Sequence, residues 1–347
     1  VEKNLTDPGP VKIALVGCGN IAQTHWHGIQ NHAPYVEVTA VVDTNQDAAR
    51  KMAEQTGASA FTELDTALTS GEFDAVDLML PHDLHVEASL ASFNAGKHVL
   101  LEKPMAPDLK GCQQILDAAK QAGTVFMIAE QAQYWPDVYK TLELIKNGDI
   151  GKIISAQGYF FDMLRINPDD PIPWRFQLAK SGGGICIDGG AHWIRPLRIW
   201  LGEIDEVIAS TQHPVDHMEG ESLAHALFRF QNGVTATFSA ILSDARSGPN
   251  VAFRLTGKQG EILIEHGRNG RLLLFNDQYP KGEVIMKTAA GKGASYGLEI
   301  HDFSQAILKG TPLQATPEFS LGELRTALAM YRSVETRTWE KVWQEEI

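Results

Sequence analysis

The sequence predicts an α/β protein: an N-terminal doubly wound parallel sheet, followed by an α+β domain built on a large, open, mostly antiparallel sheet. Three observations predict it. Up to about Ala129, short apolar runs alternate with helix-length amphipathic segments. From Lys152 onwards, strand-like runs follow one another across short turns such as Asn232-Gly233 and Lys258-Gln-Gly260. The first apolar run also breaks sharply into a helix through Gly17-Cys-Gly19-Asn-Ile-Ala22.

That opening unit carries the most information. Gly17 permits a tight turn, Gly19 lets an anion approach the backbone, and Ala22 lets the helix pack close to the strand. The N–H groups of the new helix and its positive dipole end then face the anion. A second strand, Val36–Asp43, ends in an acid about 20 residues after the glycines, where a ribose-binding carboxylate is expected. Gly17, Cys18, Gly19, Asn20, Ile21 and Asp43 are therefore the candidate dinucleotide contacts of a Rossmann domain. An acid at position 43 accepts from both ribose hydroxyls and repels a 2′-phosphate, so NAD is expected over NADP, unless Arg50 accommodates that phosphate. The alternation continues with a helix from Asn45 to Gly57, a strand Ala75–Leu80, a helix Asp83–Ala95, a strand Lys97–Leu101, a helix Asp108–Ala122 and a strand Thr124–Ala129.

A helix over Asp137–Asn147 and a long strand over Lys152–Met163 open the second part. A Pro-rich stretch, Asn167–Trp174, leads to Gly182-Gly-Gly184 and a helix reaching about Leu201. Strands follow over 206–212, 222–230, 234–241, 251–256, 261–265, 271–275 and 283–287, and helices over 297–308 and 320–337 close the chain. The expected domains are 1–130, dinucleotide-binding, and 131–347, substrate-binding and oligomerising. The helix about 320–337 is a candidate to pack back on the first domain. An antiparallel sheet with helices on one face leaves its other face in need of cover, and a homodimer or homotetramer through that face is the expected solution.

The bulk numbers narrow the function. A length of 347 residues fits two domains, and 44% hydrophobic content fits a full core. A net charge of −13 argues against a nucleic-acid partner, which needs a basic stripe, and against an anionic membrane surface. No apolar run is long enough to span a bilayer. Residues 1–10 lack the apolar core of a signal peptide, so a cytoplasmic protein is expected. Cys18, Cys112 and Cys186 form neither a disulfide framework nor a zinc spacing.

Three further features carry chemistry. Glu102-Lys103-Pro104 follows a sheet strand, which places Lys103 at the cleft outside the carboxyl ends, with its direction restricted by Pro104. A lysine there can hold a substrate hydroxyl by a charge-assisted hydrogen bond. Asp188 and His192 are four apart on an expected helix and so share a face. A carboxylate beside an imidazole makes a general base suited to neutral pH. A structural histidine in a helix's first turn is the plainer alternative. The loop Leu80-Pro81-His82-Asp83-Leu84-His85 should border the nicotinamide side of the cofactor, with Leu80, Pro81, His82 and His85 as candidate contacts. A metal on His82, His85 and Asp188 is a weaker reading, and none is expected. His25 and His27 make a poor chelate, since residues two apart on a helix do not face each other.

Taken together, Gly-x-Gly-x-x-Ala, the Pro-x-x-x-His of the middle loop, Glu-Lys-Pro, and a Gly-Gly-Gly leading to Asp-x-x-x-His resemble the Gfo/Idh/MocA oxidoreductases, over nearly the whole chain. The resemblance implies an NAD(P)-dependent dehydrogenase or reductase acting on the CH–OH group of a sugar, cyclic polyol or sugar derivative. It implies that Lys103, Asp188 and His192 are the catalytic set, and that Tyr134, Trp174 and Arg175 join them around the substrate. Glu102, Lys103 and Gln131 are implied on the cofactor side, and a cis Lys103–Pro104 bond is implied as in some relatives. The alternatives are an NAD-dependent glycoside hydrolase of the same family and a non-catalytic nucleotide-binding sensor. The chain departs from the family pattern at His82, often Asn, and at Arg195, often Asp. Arg195 could pair with Asp188, bind an acidic substrate group or, most simply, bridge to another helix. Gln131 and Gln133 stand where relatives often have Asn and Arg.

Overall fold

The computed structural model describes residues 9–163, 171–245, 250–267, 269–287 and 292–344. The Pro-rich stretch is therefore described only from Pro171, and residues 164–170 and 288–291 lie outside the described residues. The chain divides into two compact units, and both are discontinuous: 1–131 with 292–320, and 132–291 with 321–347.

In the first unit the strands β1 (Val11–Val16), β2 (Val36–Val42), β3 (Ser59–Phe61), β4 (Ala75–Leu78), β5 (His98–Glu102) and β6 (Phe126–Ala129) form one parallel sheet in the order β3-β2-β1-β4-β5-β6. This is the doubly wound Rossmann order, with its switch point between β1 and β4. Parallel sheets are covered on both faces, so their strands run continuously apolar. Ile13, Ala14 and Leu15 are accordingly buried without remainder. The helices are α1 (Asn20–His32), α2 (Gln46–Thr56), α3 (Leu64–Ser70), α4 (His85–Asn94) and α5 (Leu109–Ala122). Asn45 caps α2 by accepting from the N–H groups of Asp47 and Ala48, and Asp108 caps α5 by accepting from Gly111.

The second unit holds α6 (Pro136–Asn147), β7 (Ile153–Met163), α7 (Leu178–Ser181), α8 (Ala191–Leu201), β8 (Ile204–Gln212), β9 (Leu223–Phe230), β10 (Thr235–Ser243), β11 (Asn250–Gly257), β12 (Gly260–His266), β13 (Arg271–Asn276) and β14 (Glu283–Lys287). One further helix, α9 (Lys292–Lys309), belongs to the first unit. α10 (Leu321–Thr336) and β15 (Glu340–Lys341) belong to the second. The nine-stranded sheet runs β14-β13-β12-β11-β7-β10-β9-β8-β15, antiparallel throughout except for β7 beside β10. The central strands β9 and β10 alternate between buried and more exposed positions. In β9, Ala224, Ala226, Phe228 and Phe230 face the core, while Leu227 on the other face is exposed.

Three expectations need revision. The helix that returns to the first unit is α9, not the one about 320–337, which packs on β8 and α8 of its own unit. The return is possible because α1 and α9 cross on two glycines: a Cβ on Gly28 would lie 2.6 Å from the backbone nitrogen of Gly297. The first unit also has a strand and a helix, β3 and α3, that the apolar pattern did not announce. Third, Asp188 is not on a helix: residues 186–190 form a turn, and α8 begins only at Ala191.

Candidate active site

At the switch point, Gly17 adopts φ +91°, and a Cβ there would collide with the carbonyl of Met79. Only glycine serves this turn. A Cβ on Gly19 would meet nothing within 4 Å, which leaves open ground above the turn, and no side chain caps the start of α1. Donors without a protein acceptor beside open space fit a pyrophosphate, with Gly19, Asn20 and Ile21 presenting the backbone. The N–H of Cys18 is used differently: it donates to Asp43 Oδ2 at 2.8 Å, while Oδ1 accepts from Asn45 N at 2.8 Å. Asp43 is thereby fixed over the glycine turn with lone pairs to spare for ribose hydroxyls. Burial and then the Asp43 charge push the Cys18 thiol up to about 12, so it is no nucleophile. Arg50 lies exposed and paired with Asp47 at 2.9 Å.

The loops after β4 and β5 are stitched together by His85. It is wholly buried, with Nδ1 2.8 Å from the carbonyl of Pro104 and Nε2 3.0 Å from that of Leu80. Burial pulls its pKa below the ordinary value despite these two carbonyls and the charge of Glu102. The imidazole thus fixes the course of the Lys103 segment, whose Lys103–Pro104 bond is cis. His82 is buried, its ring 5.5 Å from that of His85, while Leu80, Pro81 and Lys103 are partly exposed. Gln131 is buried in this unit, and Tyr134 is buried in the other.

Sequence reasoning missed a charged cluster beneath this region. His25, on the inward face of α1, places Nδ1 2.7 Å from Asp77 Oδ2 and Nε2 3.1 Å from Glu102 Oε1. Burial lowers its pKa, but Asp77 and Glu102 outweigh burial and hold the imidazole well above its usual value. The available signal was Asp77 itself, a carboxylate inside a fully buried central strand, which requires a partner.

In the second unit, Arg175 Nε lies 3.3 Å from Asp188 Oδ2, and the guanidinium stands over the Trp174 ring, 4.4 Å from its centroid. Asp188 and His192 are both partly exposed. Pro196 lies inside α8 and has no N–H to offer the His192 carbonyl, so the helix lacks that rung beside the histidine. The glycine run before Asp188 is anchored by Glu221, also missed from the sequence. Glu221 accepts from Gly184 N at 3.0 Å, from Cys186 N at 2.8 Å and from the Tyr331 hydroxyl at 2.9 Å. A Cβ at Gly184 would strike the Glu221 backbone. Burial, then Glu221, pushes the Cys186 thiol well up, so it is inert. Arg195 takes the plain role: its Nε and Nη2 reach the two oxygens of Glu323 at 2.8 and 3.0 Å, and Nη1 donates to Gln133. Among the described residues, no three His, Cys, Asp or Glu side chains converge as a metal site, and no helix is long and apolar enough to cross a membrane.

This fold and turn define an NAD-binding oxidoreductase. Residues 11–130 match the family described as the oxidoreductase family with an NAD-binding Rossmann fold, and residues 138–263 match the GFO/IDH/MocA C-terminal domain. The chain belongs to the Gfo/Idh/MocA oxidoreductases. Among curated proteins it is similar to levoglucosan dehydrogenase of Pseudarthrobacter phenanthrenivorans, 26% identical over 90% of this chain and 91% of the relative. It is also similar to myo-inositol 2-dehydrogenase of Thermotoga maritima, 24% identical over 94% and 97%. Among solved structures, the WlbA dehydrogenase of Bordetella pertussis, in complex with NADH and UDP-GlcNAcA, shares the fold with a TM-score of 0.87 at 21% identity, covering 98% of this chain and all of that one. Levoglucosan dehydrogenase with NADH and levoglucosan gives 0.86 at 23%, covering 96% of this chain and 100% of that one.

Proposed function

We propose that this chain oxidises a secondary hydroxyl of a sugar, cyclic polyol or sugar derivative with NAD, or runs the reverse reduction. The observation that carries this reading is the grouping of Trp174, Arg175 and Asp188 four residues before His192. An aromatic face beside a fixed carboxylate and a partly exposed imidazole suits a ring that is apolar on one face and hydroxylated at its edge. The named activities of the relatives support the same class.

Gly19, Asn20, Ile21 and Asp43 would hold the dinucleotide, which supplies a hydride acceptor or donor when bound. Lys103 holds and polarises the substrate oxygen by a charge-assisted hydrogen bond. His192 removes the proton of that hydroxyl as general base. Asp188, restrained by Arg175, orients the reacting groups. In the reductive direction His192 returns the proton.

We also infer a homo-oligomer through the open face of the nine-stranded sheet. There Tyr159, Phe161, Ile208, Leu227 and Ile241 share a face with Thr and Ser side chains, a mixture suited to a second copy of the same sheet.

The test is turnover. Protein stripped of nucleotide is offered sugars and inositols with NAD⁺ and with NADP⁺, and reduced cofactor is followed by absorbance. Net NADH with one substrate group is the expected result. Release of sugar from a glycoside without net NADH would replace the dehydrogenase reading with the hydrolase. Lys103→Ala and His192→Ala should each lower kcat by about 10²-fold or more, and full turnover by either variant would refute its assigned role.

A further inference from the structure

The charged cluster beneath the Lys103 segment has a direction. Glu102 spends Oε1 on His25 and Oε2 on the backbone N–H of Lys103, at 3.1 and 3.2 Å. His25 in turn meets carboxylates at both ring nitrogens, so its imidazole donates twice. The groups facing His25 come from every element around it. Asp77 reaches it from β4 and Glu102 from β5, while Glu130, after β6, acts on the neighbouring Glu299. From α9 the Tyr296 ring stands 5.2 Å from the His25 ring, and a Glu299 oxygen lies 3.8 Å from Nε2. His25, Asp77 and Glu299 are fully buried.

Stability alone does not call for such a cluster. Replacing a buried ionic group with well-packed apolar side chains is often neutral or stabilising. What the charges add is geometry: a doubly donating imidazole fixes the Glu102 carboxylate, and that carboxylate fixes the backbone that aims Lys103. Because His25 lies on α1, the helix whose N-terminus receives the dinucleotide, the same cation joins the cofactor helix to the lysine segment.

We propose that His25 is a positioning residue for Lys103, acting through Glu102. The proposal rests on the reading of Lys103 as the cation that holds the substrate oxygen. On the other side of the Lys103 segment, His85 Nδ1 lies 2.8 Å from the Pro104 carbonyl.

Two conservative substitutions separate this role from a structural one. In His25→Gln the amide nitrogen falls near the position of Nε2 and keeps a donor toward Glu102. In His25→Asn it falls near Nδ1 and keeps a donor toward Asp77 only. Each variant is measured for kcat at saturating substrate, for NADH affinity by fluorescence titration and for melting temperature. The expected result is a fall in kcat of about 10²-fold in His25→Asn and a much smaller fall in His25→Gln. NADH affinity should stay within about threefold of wild type in both, since neither touches the glycine turn. Equal losses in the two variants, or losses that follow melting temperature alone, would overturn the proposal. Should either variant not fold, Glu102→Gln is measured in its place. It keeps an acceptor for Lys103 N and loses the charge that His25 fixes, and unchanged kcat there overturns the proposal as well. Lys103→Ala is run in parallel. If it retains turnover, the functional reading fails first; if it is inactive while His25→Asn turns over normally, the positioning role alone fails.

Discussion

We propose that Asp43 selects the cofactor. Both its oxygens are already oriented by backbone donors, so its charge cannot swing away from a 2′-phosphate. Asp43→Ser should move the ratio of kcat/KM for NADP⁺ over NAD⁺ upward by at least about tenfold; an unchanged ratio would assign selection elsewhere. Glu299 makes a different prediction. Burial, helped by Glu102, Glu130 and Asp77 against the opposing charge of His25, holds this carboxyl well above its usual range. The folded state then keeps a proton that the unfolded chain releases above about pH 4.3, so the contribution of Glu299 to stability declines as pH climbs from there toward its folded pKa. For His25, also raised, the contribution is full below its unfolded pKa of about 6.5 and is lost as pH rises through the folded value. Glu299→Gln cannot ionise. Its melting temperature relative to wild type should therefore be higher at about pH 8 than at about pH 5, and calorimetry at both pH values checks the difference. Asp43 was legible in the sequence because its partner turn lies in the same strand–helix–strand unit. The cluster around His25 was not, because its partners lie 52 and 77 residues away and only the fold brings them in.

At the scale of elements, legibility follows the strength of the local pattern. The six-residue β1 is a nearly continuous apolar run, and the nine-residue β10 alternates buried and more exposed positions. The strand β3 is Ser-Ala-Phe at the sheet edge with no buried residue, so nothing in its composition separates it from a loop. Residues 186–190 form a turn where a helix is expected, and Gly189 and Gly190 precede the start of α8. The course of the turn is set by Glu221, 37 and 35 residues from the two N–H groups it receives. Glu221→Ala would leave the buried Cys186 N–H without this acceptor, at about 1–3 kcal/mol, while Gly184 N keeps the Tyr331 hydroxyl at 3.2 Å. A fall in melting temperature of several degrees, with a larger loss of kcat than of NADH affinity, is expected. The crossing of α1 on α9 is equally specific. Gly297→Val would drive a side chain into the Gly28 backbone and His32, costing about 1–3 kcal/mol, as denaturant unfolding would show.

For the molecule as a whole, the sequence invites two continuous domains, 1–130 and 131–347, whereas the chain divides into two units that are each discontinuous. A single chain read left to right invites one boundary. The structure has three, because Lys292–Ser320 returns to the first unit before the chain leaves it again. Packing against α1 decides that return, and no periodicity announces it. The oligomer is tested at this scale. Leu227→Asp places a charge on the open sheet face without touching the core side, and should reduce the mass seen by light scattering to that of one chain if that face joins copies.

The divided first unit also has a consequence in time. α9 closes over His25 and lies against Gly28, yet it emerges from the ribosome after the whole first segment of the second unit, roughly 160 residues later. At about 5–20 residues per second, that is on the order of ten to thirty seconds. Throughout that interval the nascent nucleotide-binding unit carries a buried-type histidine and its carboxylates uncovered on one side. Its completion therefore waits on translation of the segment that interrupts it.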